Sequence, residues 1–268
     1  MAGSVFEQAV LRGGGLPRGA NLEILSPMQV LKPTPSPTET NASQDAEIDV
    51  AGERLVCHAS GVAYWPTERA LLVSDLHLEK GTAFARRGVL LPPYDTRTTL
   101  QRLIKAIERY NPKTVFSLGD AFHDLYAEAR MDAEDKDLLG NAVRMADWVW
   151  ITGNHDPAPP NAPGHVCSEI AVGKLRLVHE PAEGCGVDGE VAGHLHPAAK
   201  VLASGKIMRR RCFVANGRRL ILPAFGAYTG GLNILDGAFG SVFENPTAWV
   251  LGAKGVYPFS GRKLLPDT

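Results

Sequence analysis

The hydrophobic residues of this chain show no persistent spacing before about residue 50. Three prolines fall within the polar stretch KPTPSPTETNASQD in this part of the chain. Such a segment cannot bury enough apolar surface to offset the conformational entropy that is lost on ordering. We therefore predict that residues 1–49 form a flexible, disordered arm and that residues 50–268 form one folded domain.

From residue 53 onward, short apolar runs rich in Val, Ile and Leu alternate with helix-length segments. The runs predict strands near 54–58, 69–74, 114–118 and 148–152. Asp95 is predicted to cap a helix that ends at Asn111-Pro112, and its apolar residues share one face: Leu100, Leu103, Ile104 and Ile107. A second helix is predicted around 133–145. Strands that alternate with helices indicate an α/β domain.

After Asn154 the apolar runs become closely spaced, and glycine turns separate them. They predict strands around 169–172, 174–179, 190–193, 207–214 and 219–222. Two sheets are therefore expected. The chain shows no internal repeat, and no shift in composition divides residues 50–260, so both sheets should belong to the same domain.

Composition and charge exclude several classes of protein. The 268 residues are 44% hydrophobic and carry a formal net charge of −1, so no global basic field attracts nucleic acid or an anionic membrane. The longest nearly apolar runs, such as 220–228, are much shorter than the ~20 residues of a membrane span. The N-terminus lacks a secretory pattern, and the four cysteines form no CxxC pair. These features predict a cytoplasmic protein with no membrane partner.

Polar motifs follow several of the predicted strands. Asp75 and His77 are two residues apart at the end of an extended segment, so both side chains leave the same face. Other such groups end later runs: Gly119-Asp120, Gly153-Asn154-His155, His179 and Gly193-His194-Leu195-His196. In open α/β sheets, loops at the carboxyl ends of the strands converge and collect ligands. Because imidazole and carboxylate groups suit divalent ions such as Mn, Fe or Zn, the sequence predicts a metal site there.

The blocks D-x-H, GD, GNHD, H and GHxH occur in this order from Asp75 to His196. In this respect the sequence resembles the calcineurin-like metallophosphoesterase superfamily. The resemblance implies a four-layer α/β/β/α sandwich in which two mixed sheets face each other. It also implies a centre of two divalent metal ions, with Mn as the first metal to test and Fe or Zn as alternatives.

The same resemblance implies a role for each motif residue. Asp120 is the carboxylate shared by both ions, and His155 is a catalytic residue that binds no metal and faces the substrate. The other ligands form one set for each ion: Asp75, His77 and His196 for the first, and Asn154, His179 and His194 for the second. Two divalent ions and two aspartates leave about two positive charges, which would attract a phosphate ester.

A narrower resemblance covers roughly residues 53–250 and rests on SDLHLEKG, GDAFHD, GNHDP, GHLHP and LPAFGAYTGGLN. These segments are similar to the ligase-associated DNA damage response endonuclease or phosphoesterase family PdeM. The resemblance implies hydrolysis of phosphodiester bonds in DNA, in association with an ATP-dependent DNA ligase and a helicase. The protein phosphatase signature GDxxDRG is missing, because His123 stands three residues after Asp120. Protein phosphatase activity is therefore not expected.

The sequence leaves a second function open. A small-molecule phosphodiesterase or pyrophosphatase, acting on cyclic nucleotides or nucleotide derivatives, would need the same motifs. Groove width separates the two functions, and a sequence does not show groove width. A third class, a scaffold retained as a binding module, would normally have lost ligands, and here every block is complete.

Several residues outside the ligand set keep two interpretations. Asp156 either orients a neighbour or caps the following turn, and His123 with Asp124 either line the pocket or make local loop contacts. The arginines at 209–211 either contact a nucleic-acid backbone or form a solvated hairpin face. Thr229-Gly230-Gly231 either brings backbone amides near a phosphate or forms a tight turn.

Overall fold

The computed structural model describes residues 45–92, 94–156, 161–203 and 205–267, and its strands form two mixed sheets. The first sheet has seven strands in chain order: β1 Ala46–Val50, β2 Glu53–Cys57, β3 Ala63–Trp65, β4 Ala70–Val73, β5 Thr114–Leu118, β6 Asp147–Ile151 and β7 His165–Cys167. The strands β1 to β4 pair antiparallel, and β4 to β7 pair parallel. The four strands predicted before Asn154 are β2, β4, β5 and β6.

The second sheet is built from the closely spaced runs after Asn154. Its strands are β8 Glu169–Val172, β9 Leu175–Val178, β10 Glu190–Ala192, β11 Pro197–Ala203, β12 Lys206–Ala215, β13 Arg219–Ile221, β14 Leu232–Asn233, β15 Thr247–Leu251, β16 Val256–Phe259 and β17 Leu264–Leu265. The main path runs β14-β11-β12-β13-β10-β9-β8, with β15 and β17 pairing to β12 and β11. The prediction of two sheets is confirmed.

The helices of the described chain are α1 Lys80–Arg86, α2 Asp95–Tyr110, α3 Ala127–Arg130, α4 Ala133–Arg144 and α5 Gly237–Gly240, with a 3-10 turn at Gly261–Lys263. The predicted cap is wrong in detail, because Tyr94 holds the N-cap position and Asp95 lies in the first turn. The Asp95 carboxylate instead accepts the backbone N–H of Gly81 at 2.9 Å. Asp95 therefore connects α2 to α1 and does not cap its own helix.

Buried apolar side chains fill the space between the two sheets and cover the outer side of each sheet. Between the sheets, the buried side chains include Leu55, Trp65, Phe116, Leu177, Phe213 and Leu220. Between the first sheet and α2 and α4, they include Leu71, Val115, Trp148, Leu100, Leu103 and Leu139. Outside the second sheet, the segment around α5 covers strands with Ile234, Phe239, Val242 and Phe243. This arrangement confirms the mixed α/β sandwich with two facing sheets.

The last residues of the predicted arm are part of a strand. In β1, Ala46, Ile48 and Val50 are buried while Glu47 and Asp49 are exposed, which is the two-residue period of a half-buried strand. The alternation is too short to stand out beside the polar segment that precedes it. Residues 1–44 of the predicted arm lie outside the described residues. None of the described helices is long and apolar enough to cross a bilayer.

Candidate metal centre

Most of the predicted ligands meet at one edge of the facing sheets. Strands β4, β5 and β6 are parallel, so their carboxyl ends lie together, and β9 and β10 are parallel in the second sheet. The polar motifs follow these ends in the order Asp75 and His77 after β4, Asp120 after β5, Asn154 and His155 after β6, His179 after β9, and His194 and His196 after β10. The topology thus brings distant motifs into one cluster.

Four of these residues could hold one metal ion. Asp75, His77, Asp120 and His196 each offer a ligand atom, and these atoms lie within 4.8 Å of one another. The Nε2 atoms of His77 and His196 are 3.2 Å apart, and His196 Nε2 is 3.1 Å from Asp75 Oδ1. Two imidazole nitrogens this close repel each other unless a proton or a cation lies between them. The donor set of nitrogen and carboxylate oxygen fits a divalent cation.

The two oxygens of Asp75 have different surroundings. Its Oδ2 accepts hydrogen bonds from the Ser74 hydroxyl and from the backbone N–H of His194, the latter at 3.1 Å. Its Oδ1 is buried and lies 3.1 Å from His196 Nε2, but it accepts no hydrogen bond among the described residues. An unpartnered buried carboxylate oxygen is costly, and a bound cation would satisfy it. The residues present therefore fit a metal ion.

Burial and charge keep these groups in the protonation states that bind metal. Burial lowers the pKa of His77 to about 2, although the Asp75 charge opposes this shift. Burial alone would raise the pKa of Asp75, but the imidazoles of His196, His179 and His77 outweigh burial and hold that pKa below its usual value. A neutral imidazole and an ionised carboxylate result, and both are the ligand forms.

A second group forms around His179. Its Nδ1 lies 2.9 Å from the carbonyl oxygen of Leu118, and a carbonyl only accepts, so Nδ1 carries the proton. The lone pair of Nε2 is then free to bind a metal, as in many sites where a carbonyl orients a histidine ligand. This Nε2 lies 3.3 Å from His194 Nδ1 and 3.5 Å from Asp120 Oδ1.

Asp120 lies between the two groups of histidines. Its Oδ1 is 3.5 Å from His179 Nε2, and its Oδ2 is 3.7 Å from His77 Nε2. The side chain is buried, so water does not screen either interaction strongly. One carboxylate oxygen therefore faces each group, which is the geometry that a shared ligand requires.

The GNHD loop places an exposed histidine over this cluster. Both Asn154 and His155 are exposed, in the loop after β6. The backbone N–H of His155 donates to Asp120 Oδ1 at 2.9 Å, and its ring centroid is 5.2 Å from that of His77. His155 is thus fixed to the cluster through its backbone while its side chain is accessible to a substrate.

The backbone of the motif residues is unusual. Five of them have the positive φ of the left-handed region: Asp75 at 54°, His77 at 42°, Asp120 at 49°, His194 at 66° and His196 at 46°. Such values are uncommon outside glycine, and they cost free energy that surrounding contacts must offset. Their concentration in one cluster indicates a site whose ligand directions are imposed by the fold.

Two motif glycines are required because other side chains lie too close to them to leave room for a Cβ atom. A methyl group on Gly119 would overlap the His179 ring, and one on Gly193 would overlap the Ser74 hydroxyl and the Asp75 carboxylate. The glycines before Asp120 and His194 therefore let the two sheets approach each other closely enough for their ligands to meet.

His123 belongs to the same cluster, and the sequence left its role open. Its ring stacks on that of His155 with centroids 5.5 Å apart, and it lies 5.6 Å from the His77 ring. Burial lowers the pKa of His123 to about 4, and the nearby Lys80 ammonium adds to this effect. These contacts favour the interpretation of His123 as part of the pocket wall. Its neighbour Asp124 instead pairs with Arg130 at 2.8 Å.

Asp156 orients a neighbour. The carboxylate is buried and accepts the backbone N–H of Phe122 at 3.0 Å, two residues after Asp120. Burial raises the pKa of Asp156 to about 7, and the charge of Asp120 contributes to the rise. The residue therefore ties the GNHD loop to the GD loop.

Arg211 is a structural residue that the sequence did not identify. Its guanidinium donates to the carbonyls of a single loop, including Ala224 at 3.0 Å, Gly226 at 2.7 Å and Thr229 at 2.8 Å. The N–H of Gly226 in turn donates to the carbonyl of Asp75 at 2.9 Å. Of the two interpretations that the sequence left open, the solvated hairpin face does not apply to Arg211, which supports the backbone behind the candidate ligands.

Comparison with known proteins finds a family match within the chain. Residues 68–186 match the model of the family described as calcineurin-like phosphoesterase. The chain contains a calcineurin-like phosphoesterase domain. The matched region includes the motif residues from Asp75 to His179, and β10 brings His194 and His196 to them from beyond it. No curated protein matches this sequence.

Two solved structures are similar to this chain. The crystal structure of the Pseudomonas putida nuclease MPE is 27% identical, with a TM-score of 0.62, over 81% of this chain and 100% of that chain. The phosphoesterase Yfce from E. coli is 15% identical, with a TM-score of 0.35, over 70% of this chain and 95% of that chain. The family and the MPE structure identify the chain as a metal-dependent phosphoesterase, a hydrolase of ester bonds.

Proposed function

We propose that this calcineurin-like phosphoesterase hydrolyses phosphodiester bonds of DNA at a centre of two divalent metal ions. The observation that carries the proposal is the position of Asp120, with one oxygen 3.5 Å from His179 Nε2 and the other 3.7 Å from His77 Nε2. A single carboxylate between two groups of imidazoles suits a pair of cations better than one cation. Mn is the metal that we would add first, with Fe and Zn as alternatives.

Each metal would be held by one of the two groups. Asp120 would contribute to both, and the other ligands are Asp75, His77 and His196 for the first ion and Asn154, His179 and His194 for the second. The short distances among Asp75, His77 and His196 support the first set. The contact between His179 and His194 supports the second, in which exposed Asn154 is the ligand nearest to solvent.

The charge of the site suits a phosphate ester. Two divalent ions bring four positive charges and the two aspartates remove two, so about two positive charges remain to attract the substrate. When bound, such a pair of ions lowers the pKa of water and polarises the phosphoryl oxygens. The chain's own residues then have to orient the ester and assist its leaving oxygen.

His155 is the residue that we propose for this step. Its imidazole is exposed and its backbone is bonded to the shared carboxylate of Asp120, so the ring has a defined position relative to the metal groups. From there it can donate a hydrogen bond to the developing oxyanion or a proton to the leaving oxygen. The stacked ring of His123 limits how far the His155 ring can turn.

DNA is the substrate that we favour. The solved structure similar over 81% of this chain is named a nuclease, and the sequence motifs resemble those of the ligase-associated family. Association with an ATP-dependent DNA ligase and a helicase, a role in DNA repair and a cytoplasmic location remain predictions from the sequence. The four cysteines are free thiols, which is compatible with a reducing compartment.

The test is an assay with Mn, Fe or Zn on single-stranded DNA, duplex DNA, RNA, cyclic nucleotides and bis(p-nitrophenyl) phosphate. We expect metal-dependent cleavage of DNA and of the small diester, with two metal ions per chain by elemental analysis. Activity confined to cyclic nucleotides or other small esters would favour the small-molecule function instead. Absence of hydrolysis with every metal and substrate would overturn the proposal.

A further inference from the structure

A cavity with a strongly basic lining lies next to the backbone of the candidate ligand His196. Its volume is about 400 Å³, and none of its lining residues is acidic. Four arginines and two adjacent glycines contribute to its wall: Arg102, Arg209, Arg210, Arg211, Gly230 and Gly231. Arg102, Arg209 and Arg211 bring fixed positive charges to this space, which suits the binding of an anion.

The pairing of the strands explains why the arginines gather there. Arg209 and Arg211 are two residues apart in β12, so their side chains leave the same face of the sheet. Arg211 pairs with Ala198, which is two residues beyond the candidate ligand His196. Arg102 reaches the cavity from α2, across the space between helix and sheet.

The guanidinium of Arg102 has a defined position, and most of its hydrogen-bond donors are available to a ligand. Its guanidinium lies 4.4 Å from the centroid of the Phe225 ring and donates one hydrogen bond, at 2.9 Å, to the carbonyl of Ser60. A guanidinium has five N–H donors, so most of those of Arg102 have no acceptor among the described residues. Phosphate oxygens are the acceptors that match this planar group.

Arg209 and Arg211 contribute in different ways. Arg211 uses its donors on loop carbonyls and therefore supplies charge rather than free N–H groups. Arg209 is exposed, donates to the carbonyl of Gly231 at 2.6 Å and pairs with Asp267 at 3.0 Å. The Asp267 carboxylate thus binds the exposed guanidinium of Arg209 and would compete with an incoming anion.

The cavity and the metal centre share a wall. The loop that carries Gly230 and Gly231 begins next to Gly226, which bonds to the Asp75 carbonyl, and Leu232 donates to the His196 carbonyl at 2.9 Å. These backbone contacts connect the wall of the cavity directly to the residues Asp75 and His196 of the cluster.

We propose that this cavity binds a non-scissile backbone phosphate of a nucleic-acid strand whose scissile phosphate lies at the metal centre. The proposal rests on the proposed function, because it requires a polyanionic substrate with regularly spaced phosphates. A diester with a single phosphate reaches only the metal centre. The cavity would therefore raise the affinity for a strand without changing the hydrolysis of a small ester.

The experiment compares three variants of the full chain with added Mn, by the KM for single-stranded oligonucleotide cleavage across a salt series. Arg209→Ala should raise KM about threefold to tenfold and reduce the dependence on salt, since one phosphate contact is lost. Asp267→Asn should lower KM, because Arg209 loses its competitor. The control is Arg218→Ala, which removes an exposed arginine that pairs with Asp188 outside the cavity and should change nothing.

Hydrolysis of bis(p-nitrophenyl) phosphate should be the same in all four proteins. Suppose that the wild-type protein cleaves DNA and that Arg209→Ala and Arg218→Ala have equal KM values for the oligonucleotide. This result would overturn the proposed role of the cavity and leave the proposed function unaffected. An equal loss on the small diester would also overturn it, because the effect would then lie in the metal centre. If the wild-type protein cleaves the small diester but neither cleaves nor binds oligonucleotides, both claims are wrong: DNA as the substrate and phosphate binding in the cavity.

Discussion

The backbone N–H of His155 donates a hydrogen bond to Oδ1 of Asp120 at 2.9 Å. The same oxygen faces His179, so the proposed catalytic residue and the proposed shared ligand have a common attachment. A substitution of Asp120 therefore changes the acceptor of this bond, whereas a side-chain substitution of His155 keeps its backbone donor. Substitutions at these two positions should still be separable, because only one of them removes a ligand atom.

We predict that Asp120→Asn abolishes most activity and weakens metal binding at one or both positions. A neutral amide cannot serve as the anionic ligand between two cations, and it removes one of the two carboxylates near the imidazoles of His77 and His179. Elemental analysis and turnover of bis(p-nitrophenyl) phosphate measure both effects. Asp137→Asn, at an exposed position of α4, is the matched control. Near wild-type turnover with two bound metals would contradict the shared role.

For His155→Gln we expect two metal ions per chain and a large loss of activity. If the imidazole protonates the leaving oxygen, cleavage of a nucleic-acid diester should fall about 100-fold to 10,000-fold. A nitrophenolate needs little protonation, so bis(p-nitrophenyl) phosphate should lose clearly less. His165→Gln, on exposed β7, controls for removal of a surface histidine.

Two outcomes of the His155→Gln experiment would change the interpretation. Equal losses on both substrates, with metals retained, would indicate stabilisation of transition-state charge instead of proton donation. Loss of a metal ion would show that His155 is a ligand and would remove it from the catalytic role.

Gly193→Ala should impair both folding and metal binding. The added methyl group would overlap the Ser74 hydroxyl and the Asp75 carboxylate, so one of the sheets has to shift. We expect a loss of about 1–3 kcal/mol in the free energy of unfolding, measured by denaturant titration of the metal-free protein. Gly240→Ala is the control, because a Cβ there meets nothing within 4 Å. An unchanged midpoint for Gly193→Ala would mean that the approach of the two sheets is less tight than the structure indicates.

Arg211→Ala should destabilise the protein by about 2–4 kcal/mol, because several carbonyls of the 224–229 loop lose their donor. Thermal unfolding measures the effect. Arg210→Ala removes a neighbouring exposed arginine whose one hydrogen bond among the described residues goes to the Arg209 carbonyl, and it should be nearly neutral. Similar unfolding temperatures for the two variants would contradict the structural role of Arg211 and favour a solvated arginine.

Local patterns in the sequence were sufficient for much of the fold. The prediction for 114–118 coincides with β5, and those around 169–172 and 207–214 match β8 and most of β12. Strands and amphipathic helices depend on the spacing of apolar residues, which a sequence shows directly. The apolar alternation of β1 was missed because five residues beside a long polar segment give a weak signal.

The sequence by itself determined which residue types follow which strands, and hence the candidate ligands from Asp75 to His196. Only the tertiary structure decided the positive φ of five of them, the stacking of His123 on His155 and the role of Arg211 behind the Asp75 backbone. The physical reason is the range of the interactions. A strand depends on neighbours in the chain, whereas a strained φ, a ring contact and a guanidinium bound to a distant loop depend on residues that meet only when both sheets pack together.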